Sequence, residues 1–370
     1  MHRIQLSYRL VDGASEPLVG NPLIDLLHAV QDNGSISAAA RQLGLSYRHV
    51  WGELKRWESA LEHELIVWER GQSARLTEFG TKLLWAEREA QTRLLPQIER
   101  LRADIERAFA VAFDEHAHVL SFYASHDDAL SSLREYAQSG LDHERLHLDI
   151  RFTGSLDALR ALNEGRCTMA GFHTMSDAQQ GSFAQRAYKP LLRPGLHKII
   201  GFVRRTQGLI VPPGNPLGLN TLQDAAHHGA RFARRTLGSG TRLLLDELLA
   251  REHLFPESLH ATDESETSHA SVAQAVASGR ADVGLGIAAA AAARGLDFVP
   301  LVEERYHLAC LKSALDEPGV QILRNLLASQ AWLERIESLP GYGADDSGQV
   351  RAMSRVLPWW RYRTRKHEAA

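Results

Sequence analysis

Residues 34–57 read GSISAAARQLGLSYRHVWGELKRW, and this stretch decides the fold of the N-terminal part of the chain. Ser35 can cap a short helix whose alanines would let a second helix approach closely. Gly44 stands in a tight turn, where a glycine adopts positive φ at little cost. Ser46 can cap the second helix, in which apolar residues recur every three or four positions. We therefore predict a helix-turn-helix.

The sequence on either side of this motif completes a winged domain. Asn21-Pro22 is a helix start, with an asparagine cap and a proline at the first helical position. The alternating segment Ile4–Val11 predicts one strand before it. Residues 65–70 and 74–77 predict two short strands around a tight turn, and Thr77 can cap the helix that follows. The two strands would form the wing.

The polar residues of this domain are suited to DNA. Side chains near the N-terminus of a recognition helix reach bases and phosphates, and wing arginines can contact phosphates. The alternative is a helical packing module that does not touch DNA. The residues that we assign to a DNA interface are Ser35, Ser37, Ser46, Tyr47, Arg48, His49, Lys55, Arg56, Arg70 and Arg75.

These motifs resemble a known family. The pattern Gly-Ser-Ile-Ser-x-Ala-Ala-x-x-Leu-Gly-Leu-Ser-Tyr-x-x-Val-Trp is similar to the winged helix of ModE-type molybdate-responsive regulators and of LysR-type regulators. The early strand fits the ModE form, and Leu-Thr-Glu-Phe-Gly at residues 76–80 fits both. The resemblance covers about residues 5–84. It implies double-stranded operator DNA as a partner and a homodimer or higher homo-oligomer.

A long helix should follow, from Thr77 to about Phe113. Its apolar residues step by four and three, which is the heptad pattern of helices that pair. The alternative is that this seam packs on the chain's own C-terminal part. Pro96 should kink or interrupt the helix. The seam consists of Leu94, Ile98, Leu101 and Ile105, with Ala108 or Phe109 next.

From His118 onward, short apolar runs alternate with helical stretches, as in α/β architecture. Polar turns recur between a strand and a helix N-terminus, where free N–H groups favour anions and polar ligands. The sharpest of these turns, residues 234–242, reads RRTLGSGTR. Its glycines let the backbone approach a ligand, but it lacks the lysine and the spacer of a Walker loop.

The order of these turns resembles a periplasmic-binding-protein-like sensor of the type-two, two-lobed form. The resemblance covers about residues 118–311, and it implies a ligand between two α/β lobes. It also implies two chain crossings, which we place near residues 202–207 and 298–306. The residues carried over as ligand contacts are Ser125, Ser155, His173, Arg235, Ser239, Thr241, Arg242 and His269. The serines have a second interpretation as helix caps, and His173, at a strand end, as a structural histidine.

Other constellations do not support a catalytic site. Ser125-His126-Asp127 holds the letters of a hydrolase triad, but consecutive residues cannot converge in triad geometry. The histidines do not form a set with metal-ligand spacing, so we expect no metal site. Two cysteines, Cys167 and Cys310, are too few for a disulfide framework. We therefore expect no enzymatic activity.

Composition bounds the remaining possibilities. The chain has 370 residues, 44% of them apolar, and a formal net charge of −3, which excludes a histone-like basic binder. Neither a secretory signal nor a membrane span is evident, so we expect a cytoplasmic protein. We place a DNA-binding domain at residues 1–80, a linker and dimerisation helix at 81–115, a ligand-sensing domain at 116–350 and a tail at 351–370. Within the tail, the aromatic and basic residues Trp359–Lys366 are expected to be solvated, with contact to phosphates as the alternative.

The combined prediction is a multidomain protein: a helix-rich winged head, a long linker helix and a two-lobed α/β sensor. It would be a one-component, ligand-responsive transcription regulator. Both resemblances imply molybdenum biology, so molybdate, tungstate or a molybdenum-cofactor-related compound leads as effector, and no covalently bound cofactor is expected. Formate or another small organic ligand is the alternative. An enzyme with a regulatory head, or a sensor that controls a partner protein, are alternatives of another class.

Overall fold

The computed structural model describes residues 21–67, 73–113, 117–139 and 145–360. The chain divides into two compact units, Met1–Ile98 and Glu99–Ala370. The predicted strand Ile4–Val11 and the predicted contact Arg70 lie outside the described residues. None of the helices in the described ranges is long and apolar enough to cross a membrane.

The first unit contains the predicted helix-turn-helix and wing. Its elements are α1 (Pro22–Asn33), α2 (Ile36–Gln42), α3 (Tyr47–Leu61), β1 (Ile66–Val67), β2 (Arg75–Leu76) and the start of α4 (Glu78–Phe113). Strands β1 and β2 pair antiparallel, with Ile66 opposite Leu76. The turn between these strands lies outside the described residues. The predicted helices and the two wing strands are confirmed.

Local capping explains where the helices begin. The Asn21 side chain accepts a hydrogen bond from the N–H of Leu23, and Ser35 and Ser46 each accept one from the residue three positions ahead. Gly44, with φ of 65°, closes the turn between α2 and α3. Thr77 accepts a bond of 3.0 Å from the N–H of Gly80 at the start of α4. These four predicted caps are confirmed.

Helix α4 continues through Pro96 from Glu78 to Phe113, so the predicted interruption is wrong. A proline removes only one backbone hydrogen bond of a helix, and here several helical turns flank it on both sides. On the predicted seam, the side chain of Leu101 is 50% exposed. An exposed leucine in a heptad position is available for a second helix.

The second unit contains a curled mixed sheet with helices on its faces, so the predicted fold class is confirmed. Strand order is β4-β3-β5-β10-β6-β9-β7-β8, and β11 and β12 also pair with β6. The strands are β3 (Ala117–Ala124), β4 (Arg145–Phe152), β5 (Met169–Met175), β6 (His197–Val211), β7 (Arg231–Arg235), β8 (His260–Glu266), β9 (Val283–Ile287), β10 (Asp297–Leu311), β11 (Tyr342–Ala344) and β12 (Val350–Arg351).

Helices pack against this sheet in both lobes. They are α5 (Asp128–Ser139), α6 (Ser155–Asn163), α7 (Phe183–Tyr188), α8 (Leu222–His227), α9 (Gly240–Arg251), α10 (His269–Ala277), α11 (Ala288–Ala292), α12 (Pro318–Ala328), α13 (Gln330–Glu337) and α14 (Met353–Val356). Buried leucines, valines and aromatics form a core on each side of the sheet.

Two 15-residue strands, β6 and β10, divide the sheet into lobes. They pair antiparallel from Asp297↔Val211 to Leu311↔His197. Parallel strands β3, β4 and β5 lie on one side of this pair, and parallel strands β7, β8 and β9 on the other. The segments in which we expected the chain to cross between lobes lie inside β6 and β10.

Two details of the sensor differ from expectation. Strand β5 continues to Met175, so His173 lies inside the strand and not at its end. The predicted solvation of the tail is wrong at Trp359, which is buried in the core of the first lobe together with Met353, Val356 and Leu357. Their apolar surface is large enough to favour burial over solvation. Residues 361–370 lie outside the described part of the chain.

Candidate functional sites on the head and in the sensor cleft

The N-terminus of α3 presents a polar surface to solvent. Ser46, Tyr47, Arg48 and His49 are all exposed there, as are Ser37 on α2 and Arg75 on the wing strand β2. Tyr47 stacks on Trp51 one turn further along, with ring centroids 6.4 Å apart. Arg48 makes no ion pair with any described residue, so its charge is available to a phosphate or a base.

Two other predicted DNA contacts have partners within the helix. Lys55 donates to Glu58 at 2.6 Å, and Arg56 pairs with Glu53 at 2.6 Å. Glu58 is buried and also accepts the N–H groups of Leu65 and Ile66, so it ties the recognition helix to the wing. Burial by itself would raise the pKa of Glu58, but these hydrogen bonds outweigh burial and lower the pKa. Lys55 therefore positions the wing as well as carrying charge.

In the sensor, residues of the two lobes meet face to face. Gly154, at the start of α6 in the first lobe, lies against the backbone carbonyl of Gly238 in the second. A Cβ on Gly154 would be 2.5 Å from that oxygen. Gly240 lies against Ser155 and His173, since a Cβ there would be 3.0 Å from Ser155 Oγ and from His173 Cδ2. The glycines thus permit close approach of the lobes.

Five of the eight predicted ligand contacts have a buried polar atom without a hydrogen-bond partner among the described residues. Such atoms are costly unless something satisfies them. Three come from the first lobe and two from the second, and Ser155, the residue after Gly154, is among them. They are Ser125 Oγ, Ser155 Oγ, His173 Nε2, Arg235 Nε and His269 Nδ1. These five unpaired atoms, all on residues that we predicted to contact a ligand, define a candidate ligand site.

The other three predicted contacts have structural partners. Ser239 caps α9 by accepting the N–H of Arg242 at 3.2 Å, and it donates to the carbonyl of Thr236 at 2.8 Å. Thr241 lies 3.4 Å from Nε2 of His269, which it orients. The guanidinium of Arg242 pairs with Asp246 one turn along α9 at 3.1 Å. Ser155 follows the N-cap Gly154 and is not itself a cap.

Arg235 is a buried cation that makes no ion pair with a carboxylate among the described residues. Its side chain lies at the end of β7, the residue is 6% exposed, and Nη1 donates only to the backbone carbonyl of Glu266 at 3.3 Å. The nearby Glu266 carboxylate is shared with Arg280 at 3.3 Å. Burial, together with the positive charge of Arg205, lowers the pKa of Arg235 to about 10. A bound anion would relieve this unfavourable charge.

Sequence reasoning missed a buried ion-pair network beside this site. Arg205 on β6 donates through Nε to Glu304 on β10 at 2.9 Å, and through Nη1 to Asp127. Tyr342 donates to the same Asp127 carboxylate at 2.8 Å. Gln207 donates to Glu304 at 2.8 Å. One signal in the sequence could have predicted this network. Charged and amide residues lie inside the two segments in which we expected the chain to cross between lobes.

Both histidines of the site are neutral. Burial lowers the pKa of His173 well below its usual value, and Arg205, His307 and Arg235 lower it further. His269 has its pKa lowered in the same way by burial and by Arg205, Arg235 and His173. A neutral imidazole carries one N–H donor and one acceptor nitrogen. The site therefore offers hydroxyl and N–H donors around a single unpaired cation.

A cavity of about 90 Å³ lies between the lobes next to His269. It is large enough for several water molecules. The first lobe contributes the turn before α5, and the second contributes the start of α10 and the alanines of α11. The lining residues are His126, Asp127, Asp128, His269, Ala270, Ile287, Ala290, Ala293 and Arg294. Of the eight predicted ligand contacts, His269 is the one that lines this cavity.

Comparison with known proteins agrees with both units. A family model described as PBP superfamily domain matches residues 137–328, and one for the bacterial regulatory helix-turn-helix protein, lysR family, matches residues 23–81. The uncharacterized protein YvgK of Bacillus subtilis (strain 168) is 29% identical over 224 residues, 60% of this chain and 71% of that protein.

Two further similarities are more limited. The molybdenum-pterin-binding protein MopA of Rhodobacter capsulatus is 36% identical over 75 residues, 19% of this chain and 28% of that protein. A peroxide-bound mutant of OxyR from Corynebacterium glutamicum aligns with 82% of this chain and 91% of that structure, at 16% identity and a TM-score of 0.43.

The chain belongs to the PBP superfamily through its sensor domain, and its head is a helix-turn-helix of the lysR family. It therefore combines the two domains of a ligand-responsive, DNA-binding regulator, with a helix-turn-helix of the lysR family at its head.

Proposed function

We propose that the effector is a small anion bound between the sensor lobes, with molybdate or tungstate as the leading candidates. The observation that carries this proposal is Arg235, a buried guanidinium without an anionic partner in the described chain. Its positive charge contributes to the lowered pKa of His173 and of His269, so it lies near both, and buried polar atoms of Ser125, Ser155 and His173 have no hydrogen-bond partner in the described chain. Such a site stabilises negative charge, since hydrogen bonds to a charged group contribute about 1.5–3 kcal/mol each.

The choice among anions rests on a different observation. The head resembles that of ModE-type regulators, and MopA, a molybdenum-pterin-binding protein by name, is similar over 75 residues. A tetrahedral oxyanion presents acceptor oxygens in several directions, as the donors of the two lobes require. A molybdenum-cofactor-related compound, formate or another small carboxylate would bind Arg235 in the same way. Formate is therefore included among the anions of the last experiment below. We propose no catalytic step and no covalent cofactor.

The regulatory step we propose is closure of the lobes on the anion. The anion contacts donors of both lobes and so favours the closed arrangement, because only differential affinity shifts such an equilibrium. In a dimer, this change would alter the angle or spacing of two winged heads, which read half-sites about one helical turn apart. The dimer would form through the seam on α4.

The DNA-binding part of the proposal predicts a loss in Arg48→Ala. Arg48 is exposed at the N-terminus of α3 and has no ion pair within the described residues. Removing it should weaken binding to duplexes selected by the wild-type protein from a random pool by about 1–3 kcal/mol, roughly 5- to 150-fold. Fluorescence anisotropy over a salt series measures both the affinity and the number of phosphate contacts.

Lys82→Ala is the matched control, because Lys82 is an exposed cation of the head that pairs with Glu78 on α4. It should retain wild-type affinity. Equal DNA affinity in Arg48→Ala and wild type, or failure of the wild type to select any duplex, would instead favour a sensor that controls a partner protein.

The proposed dimer predicts that Leu101→Glu yields monomers. Leu101 is half exposed on α4, and a carboxylate in an apolar seam would be buried next to its symmetry mate without a partner. Sedimentation equilibrium should show a decrease in association of at least tenfold. Leu217→Glu is the control, since Leu217 is 39% exposed but lies in a sensor loop. If Leu101→Glu stays as associated as this control, the seam packs elsewhere.

A further inference from the structure

His173 presents one nitrogen to Arg205 and the other to the proposed effector site. It lies inside β5 at 4% exposure, and its ring packs on Tyr306 with centroids 3.9 Å apart. Nδ1 is 3.3 Å from Nη2 of Arg205. Nε2 is buried and makes no hydrogen bond to a described residue. The two nitrogens therefore have different surroundings.

The contact with Arg205 decides which nitrogen carries the proton. A guanidinium has only donors, so Nδ1 is the acceptor of this hydrogen bond. The other group facing Nδ1 is Oε1 of Glu304, and at 3.8 Å it is beyond hydrogen-bond distance. The imidazole is neutral, because burial and the neighbouring Arg205 hold the pKa of His173 well below its usual value. A neutral ring has a single N–H, which must then be on Nε2.

Arg205 cannot easily turn away from this role. Its other two donor groups are held by carboxylates, Glu304 at Nε and Asp127 at Nη1, and its side chain is 2% exposed. Asp127 is itself fixed, because its other oxygen accepts the N–H groups of Ala129 and Leu130 at the start of α5. The network thus extends from both long strands to the edge of the first lobe.

We propose that Arg205 is a positioning residue of the effector site, which fixes His173 as an Nε2–H donor and so selects an acceptor atom at that point. This inference rests on the proposed function and deepens it. The effector would present a deprotonated oxygen to His173, as molybdate, tungstate and carboxylates do. A ligand that presents only N–H donors there, such as an ammonium group, would place a donor against a donor and lose affinity.

The first test measures the tautomer directly. Long-range ¹H–¹⁵N correlation spectra of the full chain, labelled at histidine, distinguish an Nε2–H ring from an Nδ1–H ring at neutral pH. His173 is assigned by the signal lost in His173→Gln. His197 is an internal reference, because its Nδ1 accepts the N–H of Arg193 at 2.9 Å and must carry the same tautomer. We expect Nε2–H at His173 without any ligand, and an Nδ1–H ring would overturn the inference.

The second test compares two replacements of His173. Glutamine can place an N–H near the position of Nε2, whereas asparagine reaches only as far as Nδ1. Molybdate affinity, measured by calorimetry, should fall by at most a few-fold in His173→Gln and by at least tenfold in His173→Asn. His197→Gln should bind as the wild type does. Equal affinity in the two His173 variants would contradict selection through Nε2–H.

Arg205→Lys adds a test of positioning itself. It keeps a positive charge for Asp127 and Glu304 but loses the fork that reaches Nδ1. We expect the His173 spectrum to change to a mixture of tautomers, which a merely structural role would leave unchanged. If this variant does not fold, the inference is still tested by the tautomer in the wild-type spectrum and by the molybdate affinities of His173→Gln and His173→Asn. If the wild type binds neither molybdate nor tungstate, the proposed function is wrong. The spectrum of His173 in the unliganded chain would still test the role of Arg205.

Discussion

Arg235→Met is expected to abolish the thermal stabilisation of the protein by its anionic effector without lowering the stability of the unliganded chain. The guanidinium is buried, makes no ion pair with a described carboxylate, and contributes to the lowered pKa of His173 and His269. Its loss should reduce anion affinity on the order of 100-fold, as expected for a charged hydrogen bond and its Coulomb attraction in a buried site. Methionine retains most of the side-chain length.

The second half of this expectation separates binding from folding. Removing a buried, unpaired charge should leave the unliganded midpoint unchanged or raise it, since a desolvated cation is unfavourable. Differential scanning fluorimetry over an anion series measures both quantities. Arg234→Met is the control, because Arg234 is partly exposed and bonds to Ser265 and to the carbonyl of Asp263. A stabilisation that persists in Arg235→Met would place the anion elsewhere.

Gly154→Val is expected to hold the lobes apart and to weaken effector binding at least tenfold. Gly154 has φ of −69° and ψ of 157°, a conformation open to any residue, so the substitution does not strain the backbone. The obstacle is contact, since even a Cβ would come within 2.5 Å of the Gly238 carbonyl. No polar group is removed. The loss of affinity would therefore measure closure alone.

Small-angle scattering of the sensor within the full chain, with and without molybdate, should show compaction in the wild type and none in Gly154→Val. Gly52→Ala is the control, because a Cβ at Gly52 meets nothing within 4 Å. Wild-type affinity in Gly154→Val would mean that the effector does not require contact between the two glycine turns, and the proposed closure would be wrong.

Features coded by neighbouring residues could be predicted from the sequence. Ser35 and Ser46 each cap a helix through the N–H group three residues further on, and Gly44 closes the turn between the two helices. Because these interactions are local, the sequence alone predicted where α2 ends and where α2 and α3 begin. The polar turns after the strands were predictable for the same reason. They led to several of the buried polar atoms that the described chain leaves unpaired in the sensor, although His173 lies inside β5 and other such atoms, Gln207 Oε1 among them, were not predicted. Periodicity also predicted the length of α4, although not its passage through Pro96.

Features that depend on strand register could not be predicted. Arg205 and Glu304 are 99 residues apart in sequence, and they meet because β6 and β10 pair with irregularities at Pro300/Val302 and at Tyr306/His307. If the register of the two strands is unknown, a charged residue in a strand is predicted to be solvent-exposed, because its partner on the other strand cannot be identified. Arg242 shows the opposite error, since its position in the motif suggested a ligand while helix geometry pairs it with Asp246.

The most direct test of the account is the affinity of the full-length protein for its selected duplex, measured in wild type and Arg235→Met with added molybdate, tungstate, sulfate or formate. We predict that both proteins bind the duplex, that molybdate or tungstate changes the wild-type affinity at least fivefold, and that the affinity of Arg235→Met does not respond to either anion. Equal affinity with and without every anion in the wild type, or an equal response in both proteins, would contradict an anion-controlled DNA-binding regulator with its sensor site at Arg235.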